Sequence, residues 1–267
     1  MALSNISGYI NLWRLLITEP LRGFTFKHFR VYYKHLDTYI ACPLSAKSRL
    51  DIVHGHYAYL VECFGKNFCD DLRAGAIRIW RRELNSHEYS INLSYPFEKA
   101  AEWEGELCLS LSYDGCNLYR LVFALLPIAI SNINGSKALI IGSIQGKHCL
   151  PKVKQATNSC GGIHPSHLLM AAIGGVAVGL DIFEMIGVGD ERQLHSGQER
   201  IFSYDRFFEH YAFYAPQCGF YQIKLPFEER VLRSKSASHR KRTMAKRAMK
   251  KELMGDISTN IRLLREM

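Results

Sequence analysis

No stretch of this chain is apolar for long enough to cross a bilayer as a helix. Spanning takes about 20 apolar residues, and the longest apolar runs, Leu121–Ile130 and Leu168–Leu180, stop well short; both read as core. The opening residues, Met-Ala-Leu-Ser-Asn-Ile-Ser-Gly, have no basic n-region and no cleavage pattern, so no signal peptide is expected. The eight cysteines (Cys42, Cys63, Cys69, Cys108, Cys116, Cys149, Cys160, Cys218) follow no framework spacing. Without an export signal they read as free thiols in a reducing compartment, and the expected location is cytoplasmic. Cys149, Cys160, His164 and His167 come nearest to a metal site, but their intervals match no zinc ribbon or finger, and no metal is expected. An RNP-type aromatic motif and a KH-type Gly loop are also missing. No motif names a reaction.

Acidic residues are missing from one window, and that absence is informative. Residues 230–251 hold ten Lys or Arg and no Asp or Glu, whereas 24 basic and 25 acidic residues make up the rest of the chain. The whole net charge of +9 is therefore local. A near-neutral body with a cationic arm seeks an anionic partner, whether protein, RNA or lipid headgroup. The candidate contacts are Arg240, Lys241, Arg242, Lys246, Arg247, Lys250 and Lys251. The plainer alternative is a solvated helix that keeps the protein soluble.

With 267 residues, 48% of them hydrophobic, the chain can bury a large core. The clearest local signal is Glu106–Tyr113, where Leu107, Leu109, Leu111 and Tyr113 alternate with small or polar residues, as in a strand buried on one face. Asp114-Gly115 supplies a hairpin turn, and Asn117 to about Leu126, apolar on both faces, reads as a central strand ended by Pro127. Asn134-Gly135-Ser136 then turns into a third strand, Lys137–Ile144. Beyond it come an irregular connection to Gly162, a helix over Ser166–Phe183, a short strand Glu184–Val188, a helix Tyr204–Phe213 and a last strand Phe220–Leu225 closed by Pro226. Gly174, Gly175 and Gly179 each weaken the first helix by about 1 kcal/mol relative to Ala, which makes sense if its flat side lies close on the sheet.

Upstream, Tyr9–Ile17, Phe26–Tyr39 and Arg49–Phe64 carry helical spacings, with Ser48 able to cap the third, and Tyr89–Leu93 reads as a short strand. His54 and His56 point to different faces of that third helix, and His56 reads as a satisfied polar residue beside Tyr57. The expected class is α/β of the α+β kind: a helical part over residues 1–100 packed on a mixed, mostly antiparallel sheet over 101–228. A basic helical arm over 229–267 follows.

Several stretches carry a family likeness: Gly105–Leu111, Asn117-Leu118-Tyr119, Ile141–Gly146, His164–Leu169, Ile186–Gly189, Tyr204–Phe208, Gly219-Phe220 and the Ser/Lys/Arg-rich tail after Ser234. Together they resemble the VirK/YbjX family of Gram-negative bacteria. The resemblance implies an accessory virulence factor that supports a surface protein and resistance to cationic peptides. It carries over no catalytic residue. The element order is also similar to that of the acyl-CoA N-acyltransferases, which implies acyl-CoA as a possible cofactor. In that case Gly142, Gly146, Lys147, Lys152 and Lys154 would be the residues to hold its phosphates, although the tight Gly-rich turn of those enzymes is absent. Glu104, Glu106 and Asp190 are the carboxylates placed to act as a general base on an amine beside splayed strands; the plainer alternative is that they lie on the surface. Three readings follow: an accessory factor, an acyltransferase, and an RNA-binding regulator using the arm.

Overall fold

Polar residue pairs at two chain reversals set up the sheet. In the computed structural model, which describes residues 5–98, 101–126, 137–147, 150–194, 202–212, 219–228 and 236–266, Asn85-Ser86 and Asp114-Gly115 have φ between 46° and 72°. Two successive positive φ angles match the right-handed twist of the flanking strands. The first pair joins β1 (Ala76–Leu84) to β2 (His87–Ser94), and the second joins β3 (Leu107–Tyr113) to β4 (Cys116–Leu126). β5 (Ala138–Gly146) completes the meander; Pro127 and the Asn134–Ser136 turn lie outside the described residues. β6 (Glu184–Val188) and β7 (Phe220–Lys224) finish a seven-stranded sheet in simple order from β1 to β7.

All neighbours in this sheet are antiparallel except β5 and β6. Parallel strands need a crossover, and two helices supply it: α5 (Leu150–Ser159) and α6 (Pro165–Gly179). The fold is thus α+β with a mixed sheet, and eight helices among the described residues. β1 and β2 belong to this same sheet, so it starts at Ala76, ahead of the boundary read near residue 100. β1 gave little signal, because three arginines interrupt its alternation and its turn is Asn-Ser rather than Asn-Gly.

The helical part comprises α1 (Ile6–Leu16), α2 (Arg22–Lys27), two 3₁₀ turns (Phe29–Tyr32, Lys34–Leu36), α3 (Ala46–Cys63) and α4 (Lys66–Ala74). The expected helix over Phe26–Tyr39 is not continuous. Val31-Tyr32-Tyr33 is β-branched and aromatic and loses side-chain freedom in a helix, and the broken turns bring Lys34 and His35 into the interior. Ser45, not Ser48, caps α3, accepting a hydrogen bond from the Ser48 N–H at 3.0 Å. His56 on α3 accepts from the Leu125 N–H at 3.1 Å, and its ring lies 5.0 Å from that of Tyr57. Burial holds the His56 imidazole neutral, far below its ordinary range.

The connection after β5 is a helix rather than an irregular loop. α5 has only Val153 and Ala156 buried, too narrow an apolar stripe to stand out in sequence. Its end is held by Asn85, whose side chain donates to the Ser159 carbonyl at 2.7 Å, and by Tyr89, which donates to the Ala156 carbonyl at 2.6 Å. His164 caps α6. The helix read over Tyr204–Phe213 is α7, Tyr204–Phe208; Phe213 lies outside the described residues.

α8 (Ala237–Glu266) has 30 residues, about 45 Å at 1.5 Å per residue. Its second half buries Leu253, Ile257 and Ile261 against α6, and here the three glycines find their reason. A Cβ on Gly175 would sit 2.6 Å from the Met254 carbonyl oxygen, and one on Gly179 would sit 2.7 Å from the Ile261 Cβ. One on Gly174 would meet the Phe227 ring at 2.9 Å. The close face of α6 is therefore turned to another helix and to Phe227, not to the sheet. Asp256 and Asn260 tie the same half of α8 to β1 through Trp80 Nε1 (3.2 Å) and the Ile79 carbonyl (2.8 Å).

Candidate functional site

Glu104 and Glu106 are interior residues, 3% and 0% exposed, which corrects the surface position allowed for them. Glu106 immediately precedes β3 and receives three donors: Tyr39 Oη at 2.6 Å, Tyr57 Oη at 2.7 Å and Lys34 Nζ at 2.8 Å. Lys34 spends its other two protons on the carbonyls of Glu102 and Gly105, both at 3.0 Å. Burial lowers the Lys34 ammonium from its ordinary range, with Glu106 opposing. Burial first and Glu106 second raise both tyrosines well above theirs. Every donor on the ammonium is used, and the carboxylate is buried at the centre of its partners. A base needs a path to its substrate, and this pair is a pin between the helical part and the sheet.

Glu104 sits in a different network. It accepts from Ser143 Oγ at 2.6 Å and from Gln145 Nε2 at 2.8 Å. The Gln145 oxygen accepts in turn from Arg120 at 2.6 Å, Arg120 pairs with Glu98, and Glu98 with Lys147 at 2.9 Å. A polar chain thus runs from the interior to the surface, and Lys147 is its outer end. Hydrogen bonding to Lys147 is the first cause that holds the Glu98 carboxyl below its ordinary range. Asp190 faces neither glutamate. Its carboxylate accepts from the Tyr204 N–H and from Ser203 Oγ, both at 2.9 Å, while its own N–H donates to Asp205 Oδ1 at 2.9 Å. That is a reciprocal cap on the start of α7. Among the described residues the three carboxylates share no hydrogen-bond partner.

The place for an acyl-CoA would be the wedge where β5 and β6 part. Their ladder ends at Ile141 and Gly187. Past it, Gln193 Nε2 donates to both the Gly142 carbonyl (3.0 Å) and the Val188 carbonyl (2.8 Å). Tyr204 Oη receives the Ile144 N–H at 3.3 Å and donates to the Ile144 carbonyl at 3.2 Å. Two buried side chains therefore complete the hydrogen bonding that a ligand would otherwise supply. The glycines serve the protein's own packing: a Cβ on Gly142 would run into the Glu104 carbonyl, and one on Gly146 would lie 2.8 Å from the Tyr119 ring. Lys152 and Lys154 are exposed on α5. Nothing local marks Gln193 or Tyr204 as wedge fillers, because the β5 backbone groups they bond, at Gly142 and Ile144, lie 51 and 60 positions away in the chain.

Of the cysteine–histidine set, Cys149 lies outside the described residues. Cys160 Sγ is 3.6 Å from Met249 Sδ, His164 caps α6, and His167 Nδ1 is 2.5 Å from Tyr211 Oη. No group of three or more His, Cys, Asp or Glu suited to a metal is found among the described residues. The six described cysteines are free.

The first half of α8 carries the arm cations. Arg240, Lys241, Arg242 and Lys251 are exposed, and Lys246, Arg247 and Lys250 are half-buried. Lys246 Nζ donates to the Gly162 carbonyl at 2.6 Å, which fixes this half against the loop before α6. Among the described residues, Lys241, Arg242, Lys246 and Lys251 have no carboxylate within 4.0 Å. The helix overhangs two clefts. One, of about 390 Å³, lies between Arg242, Lys246 and residues 158–163, the end of α5 and the turn that follows it. The other, of about 380 Å³, is lined by Phe227 and Met254 together with Lys246, Lys250, Lys251 and Glu228.

Comparison with known proteins places the chain in a family. Residues 5–262 match the model described as "Protein of unknown function (DUF535)", and the chain belongs to that family. A curated relative, "Uncharacterized protein YbjX" of Escherichia coli (strain K12), is 26% identical over 198 residues, covering 72% of this chain and 56% of the relative. This agrees with the VirK/YbjX likeness read in the sequence; the chain spans little more than half the length of that relative. No solved structure matches. Among the described residues no helix is long and apolar enough to cross a membrane.

Proposed function

We propose that this protein is a noncatalytic accessory factor that docks an anionic partner along the first half of α8, in the surface-protein and envelope role implied by the family resemblance. One observation carries the reading: a folded helix presents cations from residue 240 to 251 with no acidic residue among them, while its second half is bolted to α6 and β1. The anchored half holds the charges in a fixed array, so less conformational entropy is lost on binding than with a loose tail. Both glutamates offered as bases are committed to internal partners, which favours docking over chemistry.

The test uses the full chain with Lys241, Arg242 and Lys251 changed to Gln. These side chains are exposed, so the circular dichroism spectrum should not change. Binding to an anionic resin should weaken, and its dependence on log[salt] should flatten by about one for each cation that makes a contact. Unchanged elution would remove the arm from function. RNA is one anion the same array would attract, and it is an outcome of this test rather than a separate reading.

A second reading, transfer of an acyl group to an amine, draws support from the meander–helix–strand–helix–strand order and from the parallel β5–β6 pair. It requires Gln193 and Tyr204 to leave the wedge. Calorimetry with acetyl-CoA and longer acyl-CoAs should then register heat, with Gly142, Gly146, Lys147, Lys152 and Lys154 as the contacts. No heat at millimolar ligand retires it.

A further inference from the structure

The N-terminal helices expose apolar side chains that a water-facing surface does not explain. Of the thirteen large hydrophobic residues exposed among the described residues, eight fall between Ile6 and Leu36. Scattered exposed leucines are ordinary; a concentration of this kind marks a contact surface. α1 is the clearest case. It buries Leu12 and Leu16 against the core, yet Ile6, Ile10 and Trp13, followed by Ile17 just past its end, are 43–50% exposed. Their spacings of four, three and four residues put them on one stripe. Arg14 is the one charged residue in the helix. A helix apolar on two faces is stable when both are covered, and the protein covers one.

The stripe continues onto the neighbouring turns. The Trp13 ring lies 4.7 Å from that of Tyr32, and the Tyr9 ring 5.5 Å from that of His35. Beside them Phe26, Phe29 and Leu36 are 80%, 59% and 65% exposed. The charges in this region are unequal. Residues 5–37 contain Arg14, Arg22, Lys27, Arg30 and Lys34 against Glu19 and Asp37. Lys34 is buried, Arg30 is paired with Glu102, and Glu19 is 3.7 Å from Lys66. Arg14, Arg22 and Lys27 remain exposed against one exposed acid outside an ion pair among the described residues, Asp37, and Lys27 Nζ donates to the Arg73 carbonyl at 2.5 Å, so the balance in this segment is cationic.

Aliphatic and aromatic side chains with Trp and Tyr among them, bordered by Arg and Lys, suit an interface that is apolar below and anionic above. We infer that α1 and the turns over residues 26–36 form a docking surface for an anionic phospholipid membrane, on which the protein lies without spanning it. A second copy is the weaker occupant, because a two-fold contact through this patch would gather two sets of Arg14, Arg22 and Lys27 into one interface with few acidic groups to offset them. This surface is separate in the chain from the α8 array and does not depend on the reading given for it.

The experiment is co-sedimentation of the full chain with vesicles of phosphatidylglycerol and phosphatidylethanolamine, with tryptophan emission followed in parallel. Binding with a blue shift is expected, weaker on phosphatidylcholine alone, and the Trp13→Phe chain should lose the shift. Ile10→Glu with Ile17→Glu keeps Trp13 as reporter and alters exposed positions only, so the thermal midpoint should hold while the partition coefficient falls about tenfold or more, some 1.4 kcal/mol or greater. The α8 variant with three Gln should keep the blue shift. The inference is overturned if the vesicles bind neither chain, if the double Glu variant binds equally, or if the α8 variant loses vesicle binding and blue shift together. Self-association through the stripe without vesicle binding would also overturn it, in favour of a second copy.

Discussion

Lys34→Met is expected to destabilise the fold by about 3–5 kcal/mol, the usual cost of leaving one partner of a buried ion pair uncompensated. The ammonium and the Glu106 carboxylate are 1% and 0% exposed and 2.8 Å apart. Removing the cation leaves a charged carboxylate among apolar neighbours with two tyrosine hydroxyls, and it strands the carbonyls of Glu102 and Gly105 without their donor. The effect reaches the architecture because the four residues come from different places: Lys34 from a 3₁₀ turn, Tyr39 from the connection between that turn and α3, Tyr57 from α3, and Glu106 from the residue just before β3. Urea unfolding of Lys34→Met, Glu106→Leu and the double variant measures it. The double variant should lose clearly less than the sum of the singles, since two apolar groups of similar shape leave no buried charge behind. Single variants within 1 kcal/mol of the parent would show that the pair is not the pin described.

Gly175→Leu should be nearly as damaging and by a different mechanism. At this position the first added carbon already meets the Met254 carbonyl at 2.6 Å and the Ile257 Cβ at 2.9 Å. A backbone oxygen cannot rotate aside as a side chain can, so α8 must lift from α6. Overpacking of this kind costs roughly 1–3 kcal/mol and occasionally more. Docking should weaken with it, because lifting the anchored half of α8 also shifts the arm cations and pulls on the Lys246–Gly162 hydrogen bond that steadies them. Gly255 provides the control. It lies in α8 with nothing within 4 Å of a Cβ, so Gly255→Ala should gain about 0.5–1 kcal/mol by removing glycine's entropy loss. Thermal midpoints of the two variants should therefore move in opposite directions. If both move alike, helix propensity and not interhelical contact governs the α6–α8 seam.

Much of the sheet could be read from local order, and the reason is the short range of the signals. Leu107–Tyr113 alternates at period two, Asp114-Gly115 closes a hairpin by its own backbone preference, and Pro226 follows the last strand. None of these needs a distant partner. β1 is the counterexample: its arginines hide a strand that exists because β2 and α8 lie beside it. The glycines of α6 were legible as a flat surface, but nothing local distinguishes a sheet from a second helix as what lies against it.

The sequence alone determined the family likeness, the meander with its helix and strand additions, and the confinement of positive charge to one window, since composition and short periodicities are properties of neighbouring residues. Tertiary structure alone decided what the candidate groups do. Glu106 became the partner of a lysine 72 positions away in the chain, Glu104 the inner end of a polar chain, Asp190 a helix cap, and Gln193 and Tyr204 the fillers of the β5–β6 wedge. Burial and hydrogen-bond partners arise from residues brought together by folding, and those two quantities separate a reactive carboxylate from a structural one.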